Sequence, residues 1–408
     1  TSVAETGSTD TFTVVLNAQP ASNVVLSISS SDAGEATVTS ALTFTTANWN
    51  SAQTVTVTGA DDNLVDGTQT STLTISIVDA VTDDNFDGVA DQTVSATTTD
   101  NDVAGFTIAE SGGSTSVSES GTTDTFTIVL NAQPNSDVVL SITSSDTGEA
   151  TVTSALTFTA ANWNSAQTVT VTGANDNLID GTITSTITVA INDGSSDNNF
   201  DSVADQTVSV TTTDDDVAGF TIAQSGGSTS VSESGTTDTF TVVLNAQPAS
   251  NVVLSISSSD SGEATTTTSL LTFTSGNWNS AQTVTVTGID DNIIDGTINS
   301  TLTLAIVDAI TDDNFDSAAD QTVSVATTDD DVAGFTIAQS GGSTSVSESG
   351  TTDTFTVVLN AQPASNVVLN ITSGDTGEAT VTGTLTFTAA NWNSAQTVTV
   401  TGADDNII

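Results

Sequence analysis

The chain has 408 residues, of which 50 are Asp or Glu, and it contains no Lys, Arg, His, Cys, Met or Tyr. A formal charge of −50 excludes nucleic acid and anionic membrane surfaces as direct electrostatic partners. The missing residue types also exclude disulfides and the usual catalytic bases and nucleophiles. Only paired carboxylates or a metal-activated water remain as catalytic chemistry. We therefore expect a protein that is not an enzyme.

Hydrophobic residues make up 36% of the chain, and they are mostly Val, Ile, Leu and Phe in alternating runs. High net charge with abundant Ser and Thr is typical of disordered chains, but this alternation is typical of β-strands with one buried face. No apolar run approaches the roughly 18 residues of a membrane-spanning helix. The composition therefore predicts a folded all-β protein.

A long internal repeat dominates the sequence. The tripeptide Asn-Trp-Asn is centred on Trp49, Trp163, Trp278 and Trp392, at intervals of 114, 115 and 114 residues. A unit of this length is large enough to be a domain with its own core, unlike the rung of a solenoid. Because the chain begins and ends inside a unit, we expect it to be a window from a longer array. The predicted repeats, numbered 1 to 4, have the bounds 1–103, 104–217, 218–332 and 333–408.

Period-two alternation within repeat 2 predicts a series of short strands. Clusters of Asn, Asp, Gly and Pro mark the turns between them. Seven or eight short strands in a unit of about 114 residues, without helical periodicity, predict an antiparallel β-sandwich. In chain order, the predicted elements are a split first strand at 105–109 and 115–118, then 124–130, 138–143, 150–152, 155–159, 166–172, 183–191 and 206–212.

The outer faces of the predicted strands carry Thr and Ser, and two interpretations of them stay open. Thr suits a solvated, pleated surface, but a flat ice- or glycan-binding face has the same pattern. Each repeat also has one Trp before a strand, a position that favours a core residue over a sugar-stacking one. A glycan-, mineral- or ice-binding module is therefore the alternative function.

A first set of acidic residues lies at predicted strand ends, and we expect its members to meet in space. Calcium takes six to eight oxygen ligands, and no Lys or Arg is present to neutralise clustered carboxylates. We therefore predict calcium ligands rather than solvated loop ends, with Asp146 and Glu149 as weaker additions that suit a turn cap. The set comprises Glu5, Asp62, Asp66, Asp100 and Asp102 in repeat 1; Glu119, Asp176, Asp180, Asp214, Asp215 and Asp216 in repeat 2; Glu233, Asp291, Asp295, Asp329, Asp330 and Asp331 in repeat 3; and Glu348 in repeat 4.

A second set has the pattern Asp-x-Asn-x-Asp-x-x-x-Asp. Oxygen ligands at positions 1, 3, 5 and 9, with Gly88 at position 6, resemble the first part of a calcium loop. Ser202 and Ser317 replace that glycine, and Val stands where the last acidic ligand belongs, so calcium and an ordinary Asx-rich turn both stay open. The set comprises Asp83, Asn85, Asp87 and Asp91; Asp197, Asn199, Asp201 and Asp205; and Asp312, Asn314, Asp316 and Asp320.

The order of motifs in each repeat resembles Calx-β domains. These motifs are Ser-Val-Ser-Glu, Phe-Thr-Ile-Val-Leu, Leu-Thr-Phe-Thr, Gln-Thr-Val-Thr-Val-Thr-Gly, an Asp-x-x-x-Asp-Gly pair and a closing Asp run. The resemblance implies an immunoglobulin-like sandwich that binds Ca²⁺ at one end of the domain. In repeat 2 it places the ligands on Glu119, Asp176, Asp180 and 214–216. Long bacterial arrays of such domains occur in giant surface proteins and adhesins.

These observations together predict a structural, extracellular array of β-sandwiches that Ca²⁺ makes rigid, serving as the shaft of a surface adhesin or as a secreted filament. Its expected partners are neighbouring repeats of the same chain, or copies of the chain in a filament. Extracellular modules bind Ca²⁺ at about 10⁻⁴–10⁻³ M, which is unsuited to the cytosol. A glycosidase is a third class, and near-identical repetition disfavours it.

Overall fold

A computed structural model describes residues 1–404 of the chain. Over this range the protein is all-β, with short 3₁₀ helices in the loops. Contacts divide the chain into two compact units, one of residues 1–176 with 181–215 and one of residues 177–180 with those from 216 onward. Every sheet is built from strands of a single repeat. The fold is a tandem array of immunoglobulin-like β-sandwiches, as the sequence predicts.

Repeat 1 has one sheet of order β2-β6-β4 and a second of order β1-β8-β7-β3-β5. Neighbouring strands are antiparallel, except that β1 runs parallel to β8. The strands are β1 (Ser2–Ala4), β2 (Thr9–Val14), β3 (Val24–Ser30), β4 (Ala36–Val38), β5 (Ala41–Phe44), β6 (Gln53–Gly59), β7 (Gln69–Ile77) and β8 (Gln92–Thr99).

Repeat 2 confirms the split first strand, because β9 joins the sheet β13-β15-β11-β9 while β10 joins the sheet β10-β17-β16-β12-β14. The parallel pairing of β10 with β17 closes the second sheet. The strands are β9 (Phe106–Glu110), β10 (Thr115–Ser118), β11 (Thr123–Leu130), β12 (Val138–Ser144), β13 (Ala150–Val152), β14 (Ala155–Phe158), β15 (Gln167–Gly173), β16 (Ile183–Ile191) and β17 (Gln206–Thr213).

Repeat 3 has the same two sheets as repeat 2, and in repeat 4 the described residues form β27-β28-β32-β30 and β29-β31. The strands of repeat 3 are β18 (Phe220–Gln224), β19 (Thr229–Ser232), β20 (Thr237–Leu244), β21 (Val252–Ser258), β22 (Ala264–Thr266), β23 (Leu270–Phe273), β24 (Gln282–Gly288), β25 (Ile298–Ile306) and β26 (Gln321–Thr328). Those of repeat 4 are β27 (Phe335–Gln339), β28 (Thr352–Leu359), β29 (Val367–Asn370), β30 (Ala379–Val381), β31 (Thr384–Phe387) and β32 (Gln396–Gly402).

The helical segments are single 3₁₀ turns, and among the described residues none has the length and apolar character needed to span a membrane. They are Asp79–Val81, Asp84–Phe86, Ser111–Gly113, Asp193–Ser195, Asn198–Phe200, Ser225–Gly227, Asp308–Ile310, Asp313–Phe315 and Ser340–Gly342.

The core of each repeat follows from strand alternation. In β15, Val169 and Val171 are fully buried, whereas the alternating residues Thr168, Thr170 and Thr172 are not. Phe126 and Phe158 fill the space between the sheets, and burying each such side chain stabilises the fold by roughly 1.5–3 kcal/mol. Trp163 is half-buried and packs against the same core. Its position agrees with the core role that the sequence favours.

Candidate metal centre

The glutamate that follows the Ser-Val-Ser segment lies where two strands pass unusually close to each other. In repeat 3, Glu233 follows β19, and its backbone N–H donates to the Thr328 carbonyl at 3.0 Å. A Cβ on Gly288 would lie 2.1 Å from the Ser232 carbonyl oxygen, so a side chain there would collide with the backbone. This close approach leaves the Glu233 side chain only 1% exposed.

Glu5 takes the same position in repeat 1, and a turn after β8 brings further carboxylates to it. Asp100 Oδ2 accepts the backbone N–H groups of Asp66 and Gly67 at 3.1 and 2.8 Å. The N–H of Asp102 donates to Asp100 Oδ1 at 2.6 Å. These bonds fix the end of β8 against the loop that precedes β7.

Five carboxylates of repeat 1 converge at this end of the sandwich. One oxygen from each of Glu5, Asp100 and Asp102 lies within 4.8 Å of the others, and the same holds for Glu5, Glu35 and Asp66. Glu5 is common to both groups, so the five form one set, here called the acidic cluster of repeat 1. The sequence predicted four of its members, and Asp62 lies close enough for its charge to raise the pKa of Glu5.

Glu35 is the member that sequence reasoning missed. The Asp-x-Gly-Glu segment was given only a weak role because it suits a turn, and its aspartate does cap one: Asp32 Oδ1 accepts the Gly34 N–H at 2.9 Å. The glutamate, however, is 7% exposed and lies in the cluster. The available signal was the position of Glu35 next to β4, whose first residue is fully buried.

Several oxygens of the cluster have no hydrogen-bond partner within residues 1–404: Glu35 Oε2, Asp66 Oδ1 and Asp102 Oδ2. Burial, reinforced by the charges of Asp66 and Glu5, raises the pKa of Glu35 from 4.5 to about 7. Burial likewise raises the pKa of Asp66 and of Asp102. Buried carboxylates without donors or counter-charges are unfavourable when ionised.

Repeat 3 reproduces this arrangement. Oxygens of Glu233, Asp329 and Asp331 lie within 4.8 Å of one another, and both carboxylate oxygens of Glu233 have no partner in the described part of the chain. Burial first, then the charges of Asp329 and Glu263, raise the pKa of Glu233 to about 7. Burial and neighbouring acids also raise the pKa of Glu263 and of Asp295. Glu263 and Asp295 also lie close enough for their charges to raise the pKa of Glu233. We call Glu233, Asp329, Asp331, Glu263 and Asp295 the acidic cluster of repeat 3.

The other members of the first set are placed as follows. Glu119 is buried after β10 in repeat 2, and Asp214 Oδ2 accepts the Gly181 N–H at 2.9 Å. Asp291 Oδ1 accepts the Ile293 N–H at 2.6 Å, as Asp62 does for Leu64. Asp176, Asp180 and Asp216 are half-buried, whereas Asp215, Asp330 and Glu348 are exposed.

The donor set fits a hard divalent cation. All candidate ligand atoms are carboxylate oxygens, which suit Ca²⁺ or Mg²⁺, and the Cys, Met and His ligands that transition metals prefer are missing from the sequence. Mg²⁺ requires a near-ideal octahedron, whereas Ca²⁺ accepts six to eight oxygens in flexible geometry. A crowded set of five carboxylates therefore fits Ca²⁺ better. In repeat 1, Glu5 with Asp100 and Asp102, and Glu5 with Glu35 and Asp66, are the two groups that would hold it.

The second acidic set lies in a different environment. In repeat 1 only Asp83 of its three aspartates is buried, and its oxygens already accept hydrogen bonds from the N–H groups of Ala21, Ser22 and Asn85. These bonds lower the pKa of Asp83. Asp87 and Asp91 are exposed to solvent. The buried carboxylate is thus satisfied as an Asx-type cap, and calcium in this loop stays a prediction.

The same pattern continues in the later repeats. Asp197 and Asp312 are 5% exposed and cap the following 3₁₀ turns through Asn199 and Asn314. The remaining acids of these loops, Asp201, Asp205, Asp316 and Asp320, are exposed.

No family model and no curated protein matches this sequence. Similar solved structures include CBD12 from CALX1.2, at 12% identity and TM-score 0.23 over 54% of this chain and 98% of that one. Domains 4–9 of the surface layer protein SbsC are 18% identical, with TM-score 0.23 over 77% of this chain and 40% of that one. The titin I-band fragment I67–I69 is 9% identical, with TM-score 0.26 over 81% of this chain and 95% of that one. With TM-scores below 0.5, these likenesses say nothing about the acidic clusters.

Proposed function

We propose that this chain is a structural segment of an extracellular array whose β-sandwiches are stabilised and stiffened by Ca²⁺ bound at their acidic clusters. The Calx-β-like order of motifs supports this proposal. The repetition of one sandwich with near-identical sequence supports a mechanical role over catalysis, since a catalytic site needs no fourfold copy.

One observation carries the proposal: buried carboxylates with oxygens that have no hydrogen-bond partner within residues 1–404. Glu233 is 1% exposed, neither of its oxygens has a partner among the described residues, and Asp329 and Asp331 lie beside it. An isolated buried carboxylate normally becomes protonated or pairs with a cation. With no Lys, Arg or His in the chain, a bound cation is the available counter-charge at neutral pH.

The location of the cluster gives the cation a mechanical effect. In repeat 1 its two groups of ligands come from the end of β1, the approach to β4, the loop before β7 and the turn after β8, and they share Glu5. Cations bound to these groups would therefore join four segments of the sandwich end through Glu5. Asp102 lies one residue before the predicted boundary with repeat 2. Fixing this turn would limit hinge motion between consecutive repeats.

An extracellular location is part of the proposal, because calcium sites in extracellular modules fill at the concentrations found outside cells. Extracellular modules typically bind Ca²⁺ at about 10⁻⁴–10⁻³ M, a concentration range that occurs outside cells. At a free concentration of about 100 times the dissociation constant, each ion would stabilise its domain by about 2.7 kcal/mol. We therefore place the array outside the cell, as an adhesin shaft or filament, with neighbouring repeats as its partners.

Thermal unfolding and small-angle X-ray scattering of the chain, in EGTA and then in millimolar Ca²⁺, test the proposal. We expect Ca²⁺ to raise the melting temperature by about 10–20 °C, because each ion contributes about 2.7 kcal/mol and 1 kcal/mol corresponds to roughly 4–8 °C for a domain of about 100 residues. The scattering profile should become that of a stiffer particle. The Glu233→Gln/Glu263→Gln chain should lose the part of the response that belongs to repeat 3.

The matched control is Asp312→Asn, which changes an aspartate of repeat 3 whose oxygens accept backbone N–H groups. It should lower the melting temperature equally in EGTA and in Ca²⁺. If wild-type melting and scattering are the same with and without Ca²⁺, the proposal is wrong and the buried carboxylates are neutralised by protons instead.

A further inference from the structure

The loop that carries part of the acidic cluster also packs into the next repeat. In repeat 1 we call residues 62–66 the junction loop. Asp66, at one end, belongs to the acidic cluster, and Asp62, at the other, lies near it. The three residues between them, Asn63, Leu64 and Val65, instead contact repeat 2.

The contact begins as a short piece of parallel β-pairing. Leu64 forms an isolated parallel bridge with Gln133, which follows β11 of repeat 2. The Gln133 N–H donates to the Asn63 carbonyl at 2.7 Å, and the Val65 N–H donates to the Gln133 carbonyl at 3.0 Å. Two backbone hydrogen bonds therefore fix the loop to repeat 2 in one register.

Val65 then inserts its side chain into the core of repeat 2. It is 9% exposed and belongs to the same buried cluster as Phe106, Leu130 and Val138. A residue that precedes repeat 2 by sequence thus completes the hydrophobic core of repeat 2.

The second acidic set provides the remaining contact. Asn199, in the loop capped by Asp197, donates its Nδ2–H to the Val65 carbonyl at 2.6 Å. In repeat 1, the equivalent Asn85 donates to Asp83 Oδ1 at 2.8 Å instead. In repeat 2 the asparagine at this position thus binds the junction loop of repeat 1.

The same contacts recur in the second compact unit, which includes residues 177–180 of repeat 2. Gln247 donates its N–H to the Asn177 carbonyl at 2.6 Å, and Asn314 Nδ2 donates to the Ile179 carbonyl at 2.8 Å. Ile179 packs against the core of repeat 3. Further along, Gln362 donates to the Asn292 carbonyl at 2.7 Å.

We infer that the junction loop transmits cation binding from each repeat to the one that follows it: filling the acidic cluster of repeat 1 orders the loop that completes the core of repeat 2. This inference rests on the proposed function, because it requires a cation in the cluster. The contact has a direction along the chain, since the loop that enters repeat 2 belongs to repeat 1, but the free-energy coupling that it carries is reciprocal. By linkage, folding of repeat 2 also raises the cation affinity of repeat 1.

Single-tryptophan chains of full length can report on one repeat at a time. A chain that combines Trp49→Phe, Trp278→Phe and Trp392→Phe keeps only Trp163. The fluorescence of Trp163 then follows the unfolding of repeat 2. In this background, Glu5→Gln/Glu35→Gln removes ligands of repeat 1 and leaves the junction loop unchanged. We expect the Ca²⁺-induced rise in the Trp163 midpoint to fall by about 4 °C or more.

The matched control is Glu233→Gln/Glu263→Gln, the same pair in the repeat that follows repeat 2. Its effect on the Trp163 midpoint in saturating Ca²⁺ should be clearly smaller. Equal effects of the two pairs, or no effect of the first pair, would overturn the inference.

A second chain, which keeps only Trp49, separates this inference from the proposed function. If Ca²⁺ does not raise the Trp49 midpoint, the calcium function itself is wrong. If Ca²⁺ raises the Trp49 midpoint but Glu5→Gln/Glu35→Gln leaves the Trp163 midpoint unchanged, only the inferred transmission between repeats is wrong.

Val65→Ser provides an independent variant, because it removes the inserted side chain and keeps every carboxylate. It should lower the Trp163 midpoint, and adding Glu5→Gln/Glu35→Gln should then lower it little further. Fully additive effects of Val65→Ser and the glutamine pair would mean that the two sites are independent.

Discussion

Repeat 1 contains two buried acidic regions that look alike in sequence and differ in chemistry. Asp83 accepts backbone N–H groups on both oxygens, and these bonds lower its pKa. Glu35 has an oxygen without a partner among the described residues, and burial raises its pKa to about 7. A carboxylate with backbone donors is stable as an anion, whereas a carboxylate among other carboxylates requires a proton or a cation. Local density of Asp residues therefore does not identify a metal site; the supply of donors does.

The largest expected effect comes from removing a satisfied carboxylate. Asp83→Ala leaves the N–H groups of Ala21, Ser22 and Asn85 without their acceptor, which should destabilise repeat 1 by about 2–4 kcal/mol. Because backbone N–H groups already satisfy this carboxylate, we expect the loss to be the same in EGTA and in Ca²⁺. Denaturant unfolding of the chain that keeps only Trp49 measures it, and a loss that depends on Ca²⁺ would assign calcium to this loop.

A smaller effect is expected from pH, with opposite sign at the two regions. Since burial raises the pKa of Glu35 from 4.5 to about 7, its protonated form stabilises the cation-free fold at low pH. This contribution is complete below about pH 4.5 and is lost as pH rises through about 7. In EGTA the Trp49 midpoint should therefore fall between pH 5 and pH 7.5.

Glu35→Gln is the control for this pH dependence, because an amide does not titrate. It should flatten the curve in EGTA. Asp83 has the opposite pH dependence. Because its pKa is lowered from the ordinary value of 3.8, its stabilisation of the fold is present above about pH 3.8 and is lost as the pH falls through the lowered pKa. A midpoint in EGTA that rises steadily from pH 5 to pH 7.5 would contradict the account of Glu35.

Much of the fold could be predicted from local pattern. Alternation located β16 at Ile183–Ile191 to the residue and separated β9 from β10, because a half-buried strand imposes period two on its own sequence. The parallel pairing of β10 with β17 left no such trace, since it joins residues about 95 apart.

The site was predictable where its ligands follow strands and was missed where they resemble a turn. The sequence predicts Glu5 because it ends a strand motif. It does not predict Glu35, because the Asp-x-Gly-Glu pattern, treated as a weak addition at Asp146 and Glu149 of repeat 2, suits a turn, and Asp32 does cap one. The junction loop had no signal at all. A single bridge between Leu64 and Gln133 creates no periodic pattern, and Val65 looks like any apolar residue until its neighbours are known.

Equilibrium dialysis of the full chain against Ca²⁺ tests the central claim most directly, because it counts bound ions without reference to stability. We predict saturable binding with dissociation constants of about 10⁻⁴–10⁻³ M, reduced in capacity by Glu233→Gln/Glu263→Gln and unchanged in capacity by Asp312→Asn. Two results would contradict the assignment of Ca²⁺ to the acidic clusters. One is no saturable binding in this range, and the other is a capacity that falls with Asp312→Asn but not with Glu233→Gln/Glu263→Gln.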